Sequence, residues 1–222
     1  MKTINVALKS RSYPIWLENG ALKKLSSLLQ TMNQNQTWVI FSQKNIYEKI
    51  GKNIHCNLKS NGYKVVCILL DDGEQAKTFT SIEKVFSELL SLNCDRSSTF
   101  IALGGGVVGD VCGFIASTFM RGTSYIQIPT TLLAMVDSSI GGKTGINLPQ
   151  GKNLVGAFWQ PQAVVIDPDI LITLPKRELS SAMGEIIKYG VIANKNIIDI
   201  VFNNMDDLLE IKYPQLLFDI IY

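Results

Sequence analysis

An apolar β-run at residues 99–103 passes directly into Gly104-x-Gly106-x-x-Gly109, and a helical pattern near residues 107–119 follows. A strand, a glycine joint and a helix in that order admit few folds. The glycines let backbone amides and a helix N-terminus face an anion with no side chain in the way. The same residues also suit a tight strand-to-helix turn that serves only close packing. A dinucleotide-binding unit normally carries an acidic residue about twenty positions on, for the ribose. Here that zone reads RGTSYIQIPTT and contains no acid. The loop alone supports both readings.

The flanking pattern is more decisive. Two β-rich pieces, at 4–8 and 13–17, open the chain, and an amphipathic helix near 21–32 follows. A strand at 37–41, a helix near 45–61 and a β-run at 64–70 come next. Thr80-x-x-Glu83 has the form of a capping box, and Ile82, Val85, Phe86, Leu89 and Leu90 recur at helical spacing. The pattern at 107–119 is apolar nearly all round, which implies a helix buried on both sides. Strands at 125–128 and 163–167 extend the series. Such alternation predicts an α/β fold, a Rossmann-like and mostly parallel sheet with flanking helices. Beyond Pro175 only helical periodicity remains, with Leu179, Met183, Ile186, Ile187 and Gly190 on one face. The expected organisation is an α/β domain at 1–175, followed by the start of an α-helical domain at 176–222.

Composition narrows the partners. The 222 residues are 46% hydrophobic and carry 21 basic and 19 acidic side chains, with no block of one sign. That balance gives no electrostatic reason to expect nucleic acid or a membrane surface. The first residues, MKTINVALKSRSYP, lack the apolar centre of a signal peptide, and the uncharged stretch 122–136 is too short to span a bilayer. Cys56, Cys67, Cys94 and Cys112 form no C-x-x-C pair. They read as reduced core thiols in a cytoplasmic protein. His55 is the only histidine.

Four further stretches carry chemistry. In VDSSIGGKTG (136–145), Gly142-Lys143-Thr144 matches the end of a P-loop, but that loop needs glycine where Asp137 stands. A nucleoside-triphosphate loop is therefore rejected. What remains is a glycine turn flanked by Asp137 and Lys143, suited to a polar substrate or to a surface loop. DDGEQAK (71–77) follows a strand, where a doubly wound sheet binds its ligands, so Asp72 and Glu74 could meet ribose hydroxyls. By itself it is also an Asp-Gly turn. Glu185 and Lys188 share the helix face opposite the apolar one, as a surface ion pair or a site would. QGKNLVGAF (150–158) offers Lys152 and Asn153 in a polar loop.

Taken together these stretches resemble the 3-dehydroquinate synthase family of sugar-phosphate cyclases. The matching run is GGGVVGD…RGTSYIQIPTTLLAMVDSSIGGKTGIN…GKNLVGAFWQP…LPKRELSSAMGEIIKYG, with DDGEQAK upstream and RSYPI near the start. The resemblance implies a lyase that uses NAD and a divalent metal, zinc or cobalt. Its reaction converts 3-deoxy-D-arabino-heptulosonate 7-phosphate to 3-dehydroquinate and phosphate, with NAD regenerated in each turnover. Asp72, Glu74 and Lys77 would hold the nucleoside end of NAD. Gly105, Gly106, Val107, Val108, Gly109 and Asp110 would cradle its pyrophosphate. Thr130, Thr131, Lys143, Lys152, Leu171 and Thr173 would complete the cofactor site. Asp137, Lys143, Asn153 and Lys188 would contact substrate, Arg121 would reach across a homodimer, and Glu185 would be a metal ligand.

The family's metal site adds two histidines from a downstream helical region, and no histidine follows His55 here. One carboxylate cannot make a dedicated transition-metal site. The expectation is therefore an N-terminal part of a longer enzyme with an incomplete metal site. Its helical end should then expose apolar residues such as Ile200, Leu208, Leu217 and Ile221. The rivals are another sugar-phosphate cyclase, more distantly an iron-type polyol dehydrogenase, and a non-catalytic NAD-binding module.

Overall fold

The computed structural model describes residues 1–32 and 36–222. Strands β1 (Lys2–Val6) and β2 (Tyr13–Leu17) lead into a 3-10 turn, Ala21–Lys24, and a single helical turn, α1 (Leu25–Leu28). The helix expected at 21–32 is thus broken in two. Strand β3 (Thr37–Gln43) is followed by α2 (Lys44–Ile46), a π segment Tyr47–Gly51 and α3 (Lys52–Ser60), one continuous helical rod. Then come β4 (Lys64–Leu70), α4 (Phe79–Ser91), β5 (Thr99–Gly104), α5 (Gly106–Thr118) and β6 (Ser124–Pro129). Strands β7 (Lys143–Leu148) and β8 (Gly151–Phe158) form a hairpin outside the main sheet, and β9 (Val164–Ile166) returns to it. Helices α6 (Lys176–Ile192), α7 (Lys195–Asn203), α8 (Met205–Leu209) and α9 (Pro214–Ile221) close the chain.

Among the described residues the main sheet has seven strands in the order β1-β2-β9-β6-β5-β3-β4, parallel except for the β1–β2 pair. Alternation within β3 explains why it needs helices on both faces. Val39 and Phe41 join Ile68, Phe100, Ile82 and Val111 on one side, while Trp38 and Ile40 join Leu25, Ile54, Leu58 and Ile126 on the other. Each fully buried aliphatic or aromatic side chain of this kind contributes ~1.5–3 kcal/mol. Helix α5 is apolar on every side for a specific reason. It lies between the sheet and the hairpin, with Ile146 of β7 and Val155 of β8 packed on its outer face.

Three local expectations are corrected. Helix α4 is capped by Thr78, whose hydroxyl accepts from the Ser81 N–H at 3.2 Å, and not by Thr80. Leu90 and Ile187, read as core, are 57% and 38% exposed. Residues 151–158, read as a polar loop, are strand β8. Of the four cysteines, all free, only Cys94 and Cys112 are fully buried, and Cys56 is exposed. His55 has its Nδ1 2.8 Å from the Tyr47 hydroxyl, in a structural contact on α3. No described helix is long and apolar enough to cross a membrane.

The helical end differs most from expectation. Leu208 and Leu217 are each 1% exposed, and Ile200 and Ile221 are partly buried. They pack with Tyr13, Ile15 and Leu17 of β2 and with Val164 and Ile166 of β9. The apolar faces of α6–α9 thus cover the near edge of the sheet. The apolar residues exposed at this end are others, Val191, Ile192 and Phe202 among them.

Candidate functional site

The strand order has a reversal. From β3 the chain steps to β4 on one side and then crosses to β5 on the other. Loops leaving the carboxyl ends of the strands flanking such a point diverge and open a crevice, where doubly wound sheets bind ligands. Gln43 ends β3, residues 71–77 follow β4, the glycine joint follows β5, and Thr130 and Thr131 follow β6. A cleft of about 650 Å³ opens over these four loops. Its walls include Gln43, Glu74, Lys77, Gly105, Gly106, Val107, Asp110, Thr130, Thr131 and Thr173.

The glycine spacing has a separate reason at each position. Gly105 is the N-cap of α5, so the first amides of a 13-residue helix face the cleft without intrahelical partners. A Cβ on Gly106 would stand 3.0 Å from the Ser138 hydroxyl, and one on Gly109 would stand 2.7 Å from the Gln127 side-chain oxygen. Gly106 keeps the cradle open, whereas Gly109 lets α5 settle on β6.

A second pocket, about 480 Å³, adjoins the first and shares Asp110, Ser138 and Asn153 with it. Asp137, Lys143 and Ile140 line its floor. Asp137 and Ser138 stand on a π turn, Ala134–Ser138. The wider turn inserts one residue and re-aims the side chains beyond it, a device common at functional sites. Asp137 Oδ1 accepts from the Tyr189 hydroxyl at 2.7 Å, a contact that ties α6 to the pocket. Donation to that carboxylate, with burial added, pushes the Tyr189 pKa up to about 12. The tyrosine therefore remains a donor at neutral pH.

Between the two cavities lies a buried charge. Lys77, only 3% exposed, donates to Asp110 Oδ2 at 2.6 Å and to Asn153 Oδ1 at 2.5 Å. Burial raises the Asp110 carboxyl pKa, and the lysine opposes that shift. Asn147 Nδ2 donates to Glu74 Oε2 at 2.6 Å, and Asn147 Oδ1 accepts from the Asn153 N–H at 2.9 Å.

The residues singled out in the sequence fall into three sets. Glu74, Lys77, Gly105, Gly106, Val107, Asp110, Thr130, Thr131 and Thr173 share the larger cleft, and Asp137, Lys143 and Asn153 the smaller pocket. Val108 and Leu171 have their side chains in the core, and Gly109 packs on β6, so at these positions only backbone could meet a ligand. Asp72, Lys152, Arg121, Glu185 and Lys188 line neither cavity. Glu185 and Lys188 form an ion pair on α6, and the Lys188 ammonium lies 4.5 Å from the Tyr189 ring centre. Arg121 is exposed in a left-handed backbone, φ 63°. Gln43, Ser138, Asn147 and Tyr189 were missed. Only Gln43 had a signal, its place at the end of a parallel strand beside the reversal.

The described residues contain no group of three His, Cys, Asp or Glu side chains able to hold a metal ion. A metal site does not fit within them. A dinucleotide does fit: the side-chain-free cradle, its helix N-terminus and the volume of the cleft are of the right kind.

Comparison with known proteins agrees with this geometry. The family described as 3-dehydroquinate synthase N-terminal matches residues 67–181. A 3-dehydroquinate synthase of Prochlorococcus marinus subsp. pastoris is 45% identical over 218 residues, covering 96% of this chain and 60% of the relative. One from Clostridium kluyveri is 41% identical over 222 residues, covering 100% of this chain and 61% of the relative. The chain spans about 60% of the length of these relatives. Among solved structures, 2-epi-5-epi-valiolone synthase from Streptomyces hygroscopicus subsp. jinggangensis, with NAD+ and Zn2+ bound, superposes with a TM-score of 0.87. It is 26% identical and aligns with 97% of this chain and 60% of its own. A 2-deoxy-scyllo-inosose synthase complexed with carbaglucose-6-phosphate, NAD+ and Co2+ gives 0.76 at 26% identity, over 84% of this chain and 50% of its own. Cradle, reversal and matched sequence coincide, and the chain belongs to the 3-dehydroquinate synthase N-terminal family.

Proposed function

We propose that this chain is the NAD-holding part of a 3-dehydroquinate synthase, which converts 3-deoxy-D-arabino-heptulosonate 7-phosphate to 3-dehydroquinate and phosphate. The observation that carries the reading is the shared wall between the two cavities. Asp110, Ser138 and Asn153 border both, so a dinucleotide in one would lie against a small polar substrate in the other. Bound NAD+ would supply hydride acceptance from a substrate alcohol.

The chain's own residues would do the rest. The amides at Gly105–Val107 take the pyrophosphate, and Glu74 accepts from ribose hydroxyls, the acidic role absent after the glycine joint. Thr130, Thr131 and Thr173 offer hydroxyls along the same cleft. Lys143 supplies a cation for the substrate's phosphate or carboxylate, with Lys152, Lys188 and a partner subunit's arginine at position 121 proposed alongside it. Tyr189 fixes Asp137 through Oδ1, leaving Oδ2 to accept a hydrogen bond from a substrate hydroxyl.

In this reading residues 1–175 are the NAD-binding domain and 176–222 begin the helical metal and substrate domain. Glu185 is one ligand of a divalent metal, zinc or cobalt, whose other ligands lie outside these 222 residues. The protein works as a cytoplasmic homodimer. A different sugar-phosphate cyclase is the nearest alternative, and product analysis separates the two. The lack of a metal-ligating cluster among the described residues favours a second reading for the isolated chain, that it binds NAD without turnover.

The test is phosphate release from the seven-carbon substrate with NAD+ and zinc or cobalt supplied. It is run on this chain and on one extended to the length of its relatives. Release from the extended chain alone supports the reading. Release from the 222-residue chain refutes the incomplete metal site, and release from neither leaves the binding module.

A further inference from the structure

Asn147 occupies an unusual place in its hairpin. Ile146 pairs with Val155 and Leu148 with Gly151, so the ladder shifts register and Asn147 has no paired residue opposite. Such irregularities in a two-stranded ladder re-aim side chains and free backbone groups. Here the Asn147 N–H donates to the Lys77 carbonyl at 2.7 Å instead of to β8. Its side-chain amide donates to Glu74 at 2.6 Å, and its side-chain oxygen accepts from the Asn153 N–H at 2.9 Å. One residue thus uses its backbone donor and both ends of its amide to join two segments to β7. Those segments are the turn after β4, held at the Lys77 carbonyl and the Glu74 carboxylate, and β8, which lines the neighbouring pocket.

Asn153 is the receiving end. Its backbone is left-handed, φ 56°, a conformation that needs support from its surroundings. The support comes from Asn147 at its N–H and from Lys77 at its side chain. Lys77 belongs to the same turn that Asn147 holds. If the turn after β4 is loose, Asn153 loses both supports together.

We propose that Asn147 is a positioning residue that couples occupancy of the dinucleotide cleft to the shape of the adjacent substrate pocket. The coupling runs from Glu74 through the Asn147 amide to Asn153. It rests on the assignment of NAD to the larger cleft. A dinucleotide that engages Glu74 and stills the 73–77 turn also stills Asn153, and a ligand on Asn153 returns the effect by reciprocity. The substrate pocket is then set before substrate arrives.

The experiment is backbone amide hydrogen exchange on the 222-residue chain, with and without saturating NAD+, for the wild type, Asn147→Ala and Asn147→Asp. In the wild type NAD+ slows exchange at the cradle amides 105–108 and, by about tenfold, at Asn153. In both variants the protection at the cradle persists and that at Asn153 falls to about the unliganded rate. Asn147→Asp keeps an oxygen to accept from the Asn153 N–H and removes only the donor to Glu74, so it separates coupling from misfolding of the hairpin. Equal NAD+-dependent protection at Asn153 in the wild type and both variants overturns the proposal, as does wild-type protection confined to the cradle. Absence of protection everywhere, cradle included, refutes the dinucleotide assignment and the coupling with it.

Discussion

Replacing Lys77 by methionine tests whether the border between the cavities is held by charge. Lys77 is 3% exposed, and its ammonium holds the Asp110 carboxylate at 2.6 Å. Methionine fills much of the same volume but leaves Asp110 without its cation. Breaking a buried pair by removing one partner costs about 3–5 kcal/mol. The Asp110 side chain keeps 23% of its exposure, which lets water recover part of that loss, so the low end, about 3 kcal/mol, applies. For a chain of this size each kcal/mol moves the melting temperature by about 2–4 °C, giving a fall of roughly 6–12 °C. The loss must also depend on pH in one direction. Burial already raises the Asp110 carboxyl pKa, and without Lys77 it rises further. The penalty belongs to the ionised form, so it is full above the folded-state pKa and shrinks as the pH falls through it. Scanning calorimetry of both proteins at pH 7.5 and pH 5 checks this. Lys77→Met/Asp110→Asn should recover much of the loss at the higher pH. An unchanged melting temperature, or a gap that does not narrow in acid, would refute a buried charge at this border.

Four other substitutions probe separate parts of the site. Gly106→Val should weaken NAD+ binding more than tenfold, read by titration calorimetry, with little change in melting temperature, since its Cβ enters the cradle beside Ser138. Gly109→Ala should instead lower stability by about 1–3 kcal/mol through the clash with Gln127, read by chemical denaturation. Tyr189→Phe should cost about 1 kcal/mol at neutral pH. The Tyr189 contact is complete below its ordinary pKa of 10.0 and lost as the pH rises through about 12, so the two proteins should converge in stability across that window. In a protein of the relatives' full length, Glu185→Ala should abolish metal-dependent phosphate release while leaving NAD+ affinity largely intact.

Much of the sheet was legible because buried parallel strands are short apolar runs bounded by turn residues, as at Thr99–Gly104 and Lys64–Leu70. The glycine joint was legible for the same reason, as backbone geometry dictates residue type there. The β7–β8 hairpin was not. Gly145, Gly151 and Gly156 weaken its β pattern, and β8 packs against α5 instead of joining the main sheet. The cap of α4 was misplaced by two residues because Thr80-x-x-Glu83 has the capping-box form and Thr78-x-x-Ser81 does not, yet the helix starts at Phe79 with Thr78 as its cap. The end of the chain reads as unpartnered because periodicity shows which residues seek burial and not what they meet. In the fold Leu208 and Leu217 meet β2 and β9. Asn147 and Tyr189 carried no local signal at all, since their partners Glu74 and Asp137 lie 73 and 52 residues away.

The sheet order also fixes a schedule for synthesis. The β1–β2 hairpin leaves the ribosome ahead of the rest of the sheet, yet among the described strands its one partner beyond itself is β9, against which Ile15 pairs with Val164. Asp167, which anchors the following turn through the Gly20 N–H, lies 147 residues further along. At ~5–20 residues per second that is a wait of roughly 7–30 s. An isolated two-stranded hairpin is marginal in water, so this pair spends that interval without its sheet partner. The central strands β3, β4, β5 and β6 can assemble in the meantime, and the β1–β2 pair docks once β9 is made. Agents that act on nascent chains, whether chaperones or proteases, meet this protein at its unpaired β1–β2 hairpin.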